Sequence, residues 1–413
     1  MKYGLIGEKL GHSFSKPIHE KIAGYTYEIK EIAKEDLDAF MKAKDFCGIN
    51  VTIPYKADVI PYLDYIDPVA EKIGAVNTIV NHDGKLCGYN TDFGGLKMLI
   101  EKCGFCYEGK KVIIAGTGGT SKTANAVARA LGAATVLHVG REQDAGYEGV
   151  NYENVYALHG DADYIINTTP LGMYPNCDGY SLEVSKFKNL KGLTDVVYNP
   201  LKTRLSQMAE KCSVKSACGL YMLVCQAVLA CEKFTGEKFD TQKLAQEIFD
   251  EIVKEKQNIV LIGMPGSGKS TIGKALAEKL GKNFIDTDDM IVSQYGVISD
   301  IFAQNGEQYF RNIETEQVKN AAKMNGMVIA TGGGAVLREE NVDALRQNGV
   351  IFFLNRPIED IVPTDDRPLS SDYEALKKRF EERYDIYVKS ADEEIFVDGI
   401  VENSVNKIME KLK

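Results

Sequence analysis

Gly263-Met264-Pro265-Gly266-Ser267-Gly268-Lys269-Ser270 fits the pattern GxxxxGK[ST]. It follows Ile259-Val-Leu-Ile262, four apolar residues of strand character, and opens a helical stretch from Thr271 to Leu280. The glycines let backbone N–H groups curl around phosphate oxygens, and Lys269 can neutralise the outer phosphates. The Ser270 hydroxyl can supply an oxygen to Mg²⁺. A strand, a Gly-rich turn and a helix in this order imply an α/β domain with a site for ATP or GTP.

Short β-like runs alternate with helical patterns on both sides of this loop. Before it, Lys2–Ile6, Gly48–Ile53, Val112–Ala115, Thr135–Val139, Tyr164–Asn167 and Gly192–Val197 read as strands. Thr120–Leu131 and Thr203–Lys211 read as helices between them. After it, strands fall at 283–285, 327–330, 350–354 and 394–397, with the first at 258–262. Such alternation implies parallel sheets with crossover helices. The pattern restarts near residue 250. Leu244, Ala245, Ile248, Phe249, Ile252 and Val253 recur at helical spacing. The polar run that follows reads as a linker at 254–257, with a further domain over 258–413.

The 413 residues suggest two to three domains at ~150 residues each. Hydrophobic residues are 44% and charged residues 26%, which excludes wholesale disorder and fibrous repeats. The net charge of −10 opposes a general nucleic-acid or anionic-membrane surface, though not small anionic ligands. The nine cysteines are scattered and only Cys103-Gly-Phe-Cys106 has CxxC spacing, so they read as reduced, structural thiols of a cytoplasmic protein. The first residues reach glycine and charge too soon for a secretory leader. Leu220 to Cys231, interrupted by Gln226, falls short of the ~20 residues that span a bilayer.

Further signals follow the phosphate loop. Phe284-Ile-Asp286-Thr-Asp288 places two carboxylates at a strand end. Phe310-Arg311-Asn-Ile-Glu314 comes next, then three glycines, Gly332, Gly333 and Gly334, at another strand end where a ligand must touch backbone. Arg367-Pro-Leu and Arg383-Tyr-Asp-Ile-Tyr387 complete the series. In combination these residues resemble shikimate kinases across nearly all of 258–413. The resemblance implies a P-loop, nucleoside-monophosphate-kinase-like domain. It gives Gly263, Gly266, Ser267, Gly268, Lys269, Ser270 and Thr271 to ATP. Asp286 joins Ser270 in holding Mg²⁺. Asp288 binds the hydroxyls of shikimate and orients the one that attacks. Arg311, Arg383 and Gly332–Gly334 cradle the substrate, with the guanidiniums on its carboxylate. Arg367 belongs to a lid and reaches the transferring phosphate. The segment before it, Pro357 to Asp366, is short and acidic.

In the first half, Val112-Ile-Ile-Ala-Gly116-Thr-Gly118-Gly119-Thr120-Ser121 is a strand, a Gly-rich turn and a helix start. Its spacing is that of a dinucleotide turn, with Ser121 in the third glycine position. A plain tight turn has the same local look. The strand Val136–Val139 runs into Gly140-Arg141-Glu142. A cation there suits a 2′-phosphate and hence NADP, while Glu142 leaves NAD open. Around this turn lie His12-Ser13-Phe-Ser15, Asn50-Val-Thr52-Ile-Pro-Tyr-Lys56, Asn77-Thr and Asn90-Thr91-Asp92. Asn167-Thr-Thr-Pro-Leu-Gly172, Asp195-Val-Val-Tyr198-Asn-Pro200 and Gly219 through Gln226 follow.

This ordered series resembles shikimate dehydrogenases over about 1–253. The resemblance implies a substrate domain from 1–92 and 219–253 and a Rossmann NADP domain over 93–218. Lys56 and Asp92 are its catalytic pair. Ser13, Ser15, Thr52, Asn77, Tyr198 and Gln226 contact the substrate. Gly116, Gly118, Gly119, Thr120, Ser121, Arg141 and Gly219 hold the cofactor. The expectation is a bifunctional enzyme: NADPH reduces 3-dehydroshikimate to shikimate, and ATP with Mg²⁺ phosphorylates shikimate. The alternatives are an NAD-dependent quinate/shikimate dehydrogenase in the first half, or a regulatory protein that keeps both folds without catalysis. Oligomeric state leaves no mark in the sequence.

Overall fold

The computed structural model of the chain describes residues 1–11, 13–140, 149–361 and 373–412. It divides into two compact units, 1–251 and 252–413. Arg141, Glu142 and Arg367 lie outside the described residues, as does His12.

The first unit contains two sheets. One is made by β1 (Tyr3–Gly7), β2 (Tyr27–Glu31), β3 (Gly48–Val51), β4 (Tyr65–Ile66), β5 (Thr78–His82) and β6 (Lys85–Tyr89), in the order β2-β1-β3-β5-β6-β4. The other is made by β7 (Lys111–Ala115), β8 (Thr135–Gly140), β9 (Gly149–Asn151), β10 (Tyr164–Asn167), β11 (Gly192–Asp195) and β12 (Lys215–Cys218), in the order β12-β11-β10-β7-β8-β9. The helices are α1 (Ser15–Ala23), α2 (Leu37–Ala43), α3 (Pro68–Ile73), α4 (Thr91–Lys102), α5 (Gly119–Ala130), α6 (Val155–His159), α7 (Arg204–Lys211), α8 (Leu220–Thr235) and α9 (Thr241–Lys256). The second sheet is parallel throughout. The first is mixed, contrary to the all-parallel expectation. β5 runs antiparallel to β3 and to β6. The cause is the two-residue turn Asp83-Gly84 between paired His82 and Lys85. Both turn residues have positive φ, 50° and 88°, which matches the twist of a tight hairpin.

After the second sheet the chain returns to the first. α8 packs against α1 and α4. Its residues Val224, Ala227, Val228 and Cys231 are fully buried. α9 buries Ala245, Ile248 and Ile252.

The second unit has one parallel sheet of β13 (Asn258–Ile262), β14 (Asn283–Asp286), β15 (Met327–Ala330), β16 (Gly349–Asn355) and β17 (Glu393–Phe396). Its order is β14-β15-β13-β16-β17. Around it lie α10 (Lys269–Leu280), α11 (Thr287–Tyr295), α12 (Ile298–Ala322), α13 (Glu339–Asn348), α14 (Tyr373–Ser390) and α15 (Val401–Lys411). Alternate side chains of the strands fill two cores. Val260, Ile262, Ile329, Ile351 and Phe353 pack on one face, and Ile259, Leu261, Val328, Phe352 and Leu354 on the other. Strands buried on both faces need continuous apolar runs, which is why they read so plainly in the sequence. β13 is central, so the loop after it emerges at the carboxyl end of the sheet between β15 and β16, where open α/β sheets bind ligands.

Residues 254–256, read above as linker, form the last turn of α9. Lys282 Nζ donates to the carbonyls of Lys254, Glu255 and Gln257 at 2.9, 3.1 and 3.2 Å. A cation there meets the negative end of the helix dipole and its orphan carbonyls.

Candidate functional site

In the first unit, Lys56 lies in the turns after β3 and its Nζ donates to Asp92 Oδ2 at 2.6 Å. The side chains are 15% and 11% exposed. Asp92 is in the first turn of α4, where a helix N-terminus favours a carboxylate. That helix starts here because the Asn90 side chain caps it, accepting from Phe93 N at 3.1 Å. Asn90 Nδ2 also reaches Thr123 Oγ1 of α5 at 3.3 Å, tying the two sheets' helices together beside the pair.

Behind the pair stands a buried wall of amides and hydroxyls. Asn77 Oδ1 accepts from Thr91 N at 2.7 Å, and its Nδ2 donates to Thr91 Oγ1 at 3.0 Å. Thr91 Oγ1 donates to Gln226 Oε1 at 3.4 Å. Asn50 Nδ2 donates to Thr78 Oγ1 at 3.0 Å, and Tyr27 donates to Asn50 Oδ1 at 2.7 Å. His19 stacks on Tyr27 at 4.1 Å, and burial pushes its imidazole down to about 3. These partners fix which way each amide faces, so the wall is preorganised.

The remaining substrate candidates lie on other segments of the first unit, Ser15 as the first residue of α1. Ser13 Oγ accepts from Ser15 N at 3.1 Å at the start of α1. Thr52 lies against Gly7, whose added Cβ would sit 2.7 Å from the threonine methyl. The Tyr198 ring meets Phe14 at 5.4 Å, and burial raises its phenol. Asp195 anchors the loop that carries Tyr198. It accepts from Asn167 Nδ2, Val197 N and Thr203 Oγ1 at 2.8, 3.1 and 2.7 Å. Burial pushes its carboxyl up to about 6 against those donors.

The Gly-rich turn runs from β7 into α5. Gly116 has φ 111°, and an added Cβ would lie 2.6 Å from Thr168 Oγ1. Gly118 and Gly119 would meet nothing within 4 Å, so protein packing does not demand glycine there. Open space beside bare backbone at a helix N-terminus suits a diphosphate. Ser121 is turned inward and donates to Gly118 O at 2.6 Å. Thr120 is on the first turn of α5, half-buried. Gly219 is held by its own chain: its N–H donates to Val197 O at 2.8 Å, and a Cβ would strike Val196 O.

In the second unit, the P-loop and its neighbours enclose a cavity of about 640 Å³. Lys269 is 8% exposed and its Nζ donates to Gly263 O and Met264 O at 3.0 and 2.9 Å. Gly266, Gly268, Ser270 and Thr271 line the cavity, while the Ser267 hydroxyl is buried beneath the loop. Ser270 donates to Asp286 Oδ2 at 2.6 Å, and Asp286 Oδ1 caps α11 by accepting from Asp288 N at 3.0 Å.

Arg311 Nη1 donates to Glu314 Oε2 at 2.7 Å and Nη2 to Glu307 Oε1 at 3.1 Å. Burial lowers the Arg311 affinity for its proton, but the two glutamates more than offset this and the net shift is upward. Burial raises the Glu314 carboxyl despite Arg311. Arg383 donates to Gly333 O at 3.2 Å, beside the Tyr387 hydroxyl on the same carbonyl. The glycine run has no room for side chains. A Cβ on Gly332 would sit 2.6 Å from Asp288 Oδ1 and 2.8 Å from Glu314 Oε1, and one on Gly334 would strike the Arg311 guanidinium.

The structure therefore gathers Lys56, Asp92, Asn77 and Gln226 in one unit, and Lys269, Ser270, Asp286, Asp288, Arg311, Gly332–Gly334 and Arg383 in the other. Sequence reasoning passed over Thr91 and Asn50, whose roles lie in partners no spacing reveals. It also passed over Arg379, which lines the same cavity as Arg383 from four residues earlier on α14. That i,i+4 spacing was its available signal.

Residues 265–413 match the family described as Shikimate kinase, and residues 5–79 match the Shikimate dehydrogenase substrate binding domain. The Shikimate dehydrogenase (NADP(+)) of Clostridium perfringens (strain 13 / Type A) is 36% identical over 265 residues, covering 60% of this chain and 97% of that protein. The crystal structure of Shikimate Dehydrogenase 1 from Peptoclostridium difficile is 37% identical, with a TM-score of 0.57 over 61% of this chain and 98% of its own. A chorismate mutase/shikimate 5-dehydrogenase fusion protein from Clostridium acetobutylicum is 32% identical, with a TM-score of 0.57 over 60% of this chain and 96% of its own. Dehydrogenase relatives thus account for the first unit almost end to end, and the kinase family for most of the second. The chain belongs to the shikimate dehydrogenase family, continues into a shikimate kinase domain, and is an enzyme of both classes, oxidoreductase and transferase.

Proposed function

We propose that the first unit reduces 3-dehydroshikimate to shikimate with NADPH and that the second transfers a phosphoryl group from ATP to shikimate. The observation that carries this reading is the Lys56–Asp92 pair at 2.6 Å against a wall of buried amides and hydroxyls, on a chain whose other half builds a phosphate loop beside an arginine-lined cavity. Both pockets suit one small polyhydroxy acid.

In the first site, NADPH supplies the hydride that reduces the substrate carbonyl. The Gly118–Gly119 backbone at the start of α5 fits its diphosphate, and Arg141, which lies outside the described residues, is the candidate for its 2′-phosphate. As the carbonyl oxygen gains charge, Lys56 gives it a proton, and takes that proton back in the reverse direction. Asp92 keeps the ammonium aimed and accepts from a substrate hydroxyl. Asn77 and Gln226 offer amides to the other hydroxyls, and Ser13, Ser15, Thr52 and Tyr198 close the site from other segments.

In the second site, the oxygen pair of Ser270 and Asp286 fits Mg²⁺, a hard cation that takes one or two protein ligands and completes its shell with phosphate oxygens and water. Among the described residues no group of three or more His, Cys, Asp or Glu gathers to hold a metal alone. When bound, the ion neutralises phosphate charge. Lys269 exchanges its loop carbonyls for phosphate oxygens, and Asp288 orients the attacking hydroxyl. Arg311 and Arg383 fix the carboxylate, as phosphoryl transfer requires mainly positioning and charge dispersal. Arg367 lies outside the described residues and is assigned to the transferring phosphate by resemblance alone.

No helix among the described residues is long and apolar enough to cross a membrane. The test is product identification. Purified chain is given 3-dehydroshikimate with NADPH or NADH, then ATP and Mg²⁺. Shikimate in the first step, faster with NADPH, and shikimate 3-phosphate in the second are expected. Quinate oxidation with NAD alone, or no turnover at all, would replace this reading by one of its rivals.

A further inference from the structure

The hydrogen bonds of the polar wall in the first unit run in one direction, and they begin two strands away from it. Tyr27, the first residue of β2, is fully buried, its ring packed among Leu5, Leu10, Val80 and Phe234. Its hydroxyl donates to Asn50 Oδ1 at 2.7 Å, across the strand order β2-β1-β3. Burial raises the phenol well above its ordinary value, so it stays protonated and serves as a donor. His19 senses the same amide, but its Nε2 completes no hydrogen bond among the described residues.

With its oxygen engaged by Tyr27, the Asn50 amide turns its NH2 the other way, to Thr78 Oγ1 at 3.0 Å and Asn77 O at 3.3 Å. Thr78 Oγ1 accepts that N–H and passes its own proton onward. It lies 3.1 Å from Asn77 Oδ1 and 3.0 Å from Thr91 Oγ1. Asn77 Oδ1 also accepts from Thr91 N, which leaves Asn77 Nδ2 to donate to Thr91 Oγ1. Thr91 Oγ1 in turn donates to Gln226 Oε1. Both terminal amides therefore have their oxygens occupied inside the protein. Their nitrogens each meet one acceptor among the described residues, Thr91 Oγ1 for Asn77 and Leu223 O for Gln226. An amide nitrogen carries two protons, so one N–H of each remains for a substrate hydroxyl.

We propose that Tyr27 is a positioning residue of the dehydrogenase site: its hydroxyl sets the direction of the relay through Asn50, Thr78 and Thr91, so that Asn77 and Gln226 meet the substrate as N–H donors. This rests on the function proposed above and names what orients that site from behind. Without the phenol proton the buried Asn50 oxygen is orphaned, and a flipped amide becomes the better arrangement. The flip presents an oxygen to Thr78, draws its proton back and reverses the hydroxyls beyond it.

The test uses the full chain with Tyr27→Phe, which keeps the ring stacked on His19 and deletes only the hydroxyl, with Thr78→Val, which breaks the relay midway, and with both. Each is assayed with 3-dehydroshikimate and NADPH. In Tyr27→Phe the KM for 3-dehydroshikimate should rise about tenfold, the effect of one misdirected hydrogen bond. The kcat, set by Lys56 and Asp92, and the KM for NADPH should stay within about threefold. Thr78→Val should raise the same KM, and adding Tyr27→Phe to it should cost less than about twofold more, because the relay is already cut. Additive losses, a shifted KM for NADPH or a fall confined to kcat would mean a merely structural tyrosine and overturn the proposal. An unchanged KM in Tyr27→Phe would overturn it too. If Tyr27→Phe does not fold, Thr78→Val decides alone: the same KM rise with kcat kept supports the relay, and any other result overturns it. If the parent chain does not reduce 3-dehydroshikimate, the functional reading falls, an outcome separable because it appears before any variant is made.

Discussion

Lys56 would be an ordinary solvated lysine but for Asp92 at 2.6 Å and the polar wall behind them. Replacing it by alanine removes the proposed proton donor of the first unit. Lys56→Ala should lower the NADPH-linked rate by roughly 10²–10⁴-fold and leave phosphorylation of shikimate unchanged, which steady-state assays of the two halves will show. A dehydrogenase rate within a few-fold of the parent would remove Lys56 from the mechanism. His19 makes a different prediction, one of pH. Its folded-state value of about 3 lies below the ~6.5 of an unfolded histidine, so the folded chain binds fewer protons in that interval. Its contribution to stability is full above pH ~6.5 and is lost as pH falls toward 3. Between pH 7 and pH 5 the loss amounts to about 2 kcal/mol. His19→Phe keeps the stack on Tyr27 and removes the titration. Amide exchange of β1–β3 should lose that part of its acid sensitivity in the variant, and equal sensitivity in both proteins would refute the buried neutral imidazole.

At the scale of elements, the legible parts were those whose sequence carries their own physics. β13 to α10 announced itself because the phosphate loop needs glycine at fixed spacing and the strand before it is buried on both faces. The Asp83-Gly84 hairpin carries its own turn signal, but β5 and β6 are short and hold polar residues, so strand–helix alternation alone implies a parallel sheet where the first sheet is mixed. Illegible from spacing were the contacts that aim side chains: Tyr27 on Asn50, Asp195 on Thr203, Arg383 on the Gly333 carbonyl. These join residues whose separations in sequence carry no period. The end of α9 was misread for a related reason. Its polar last turn looks like irregular chain until Lys282, which follows α10, caps its carbonyls. A cation on a helix C-terminus contributes about 0.3–1 kcal/mol when exposed and up to ~2 when partly buried. Lys282→Met should therefore lower the stability of the second unit by about 1–2 kcal/mol, read as a shift in its urea midpoint with dehydrogenase activity unaltered.

For the whole molecule, two units with separate cores and separate sites should behave additively. A chain carrying both Lys56→Ala and Asp288→Asn should show the dehydrogenase defect of the first and the kinase defect of the second, each the size seen alone. A combined loss larger than either single variant's in its own assay would reveal coupling. Additive activities do not make the chain divisible, however. The partition into units falls at residue 251, inside α9, and the helix continues without a break to Lys256. A scissile bond anywhere from 241 to 256 would be locked in helical hydrogen bonds, out of reach of a protease until the helix melts. A gene cut at the first residue of β13 would strand Lys282 without its carbonyls, and one cut at the start of α9 would take Ala245 and Ile248 from the first unit. The two catalysts can lose function independently, yet they are born, folded and degraded as one polypeptide, so the cell holds them in a fixed one-to-one ratio that no expression control can alter.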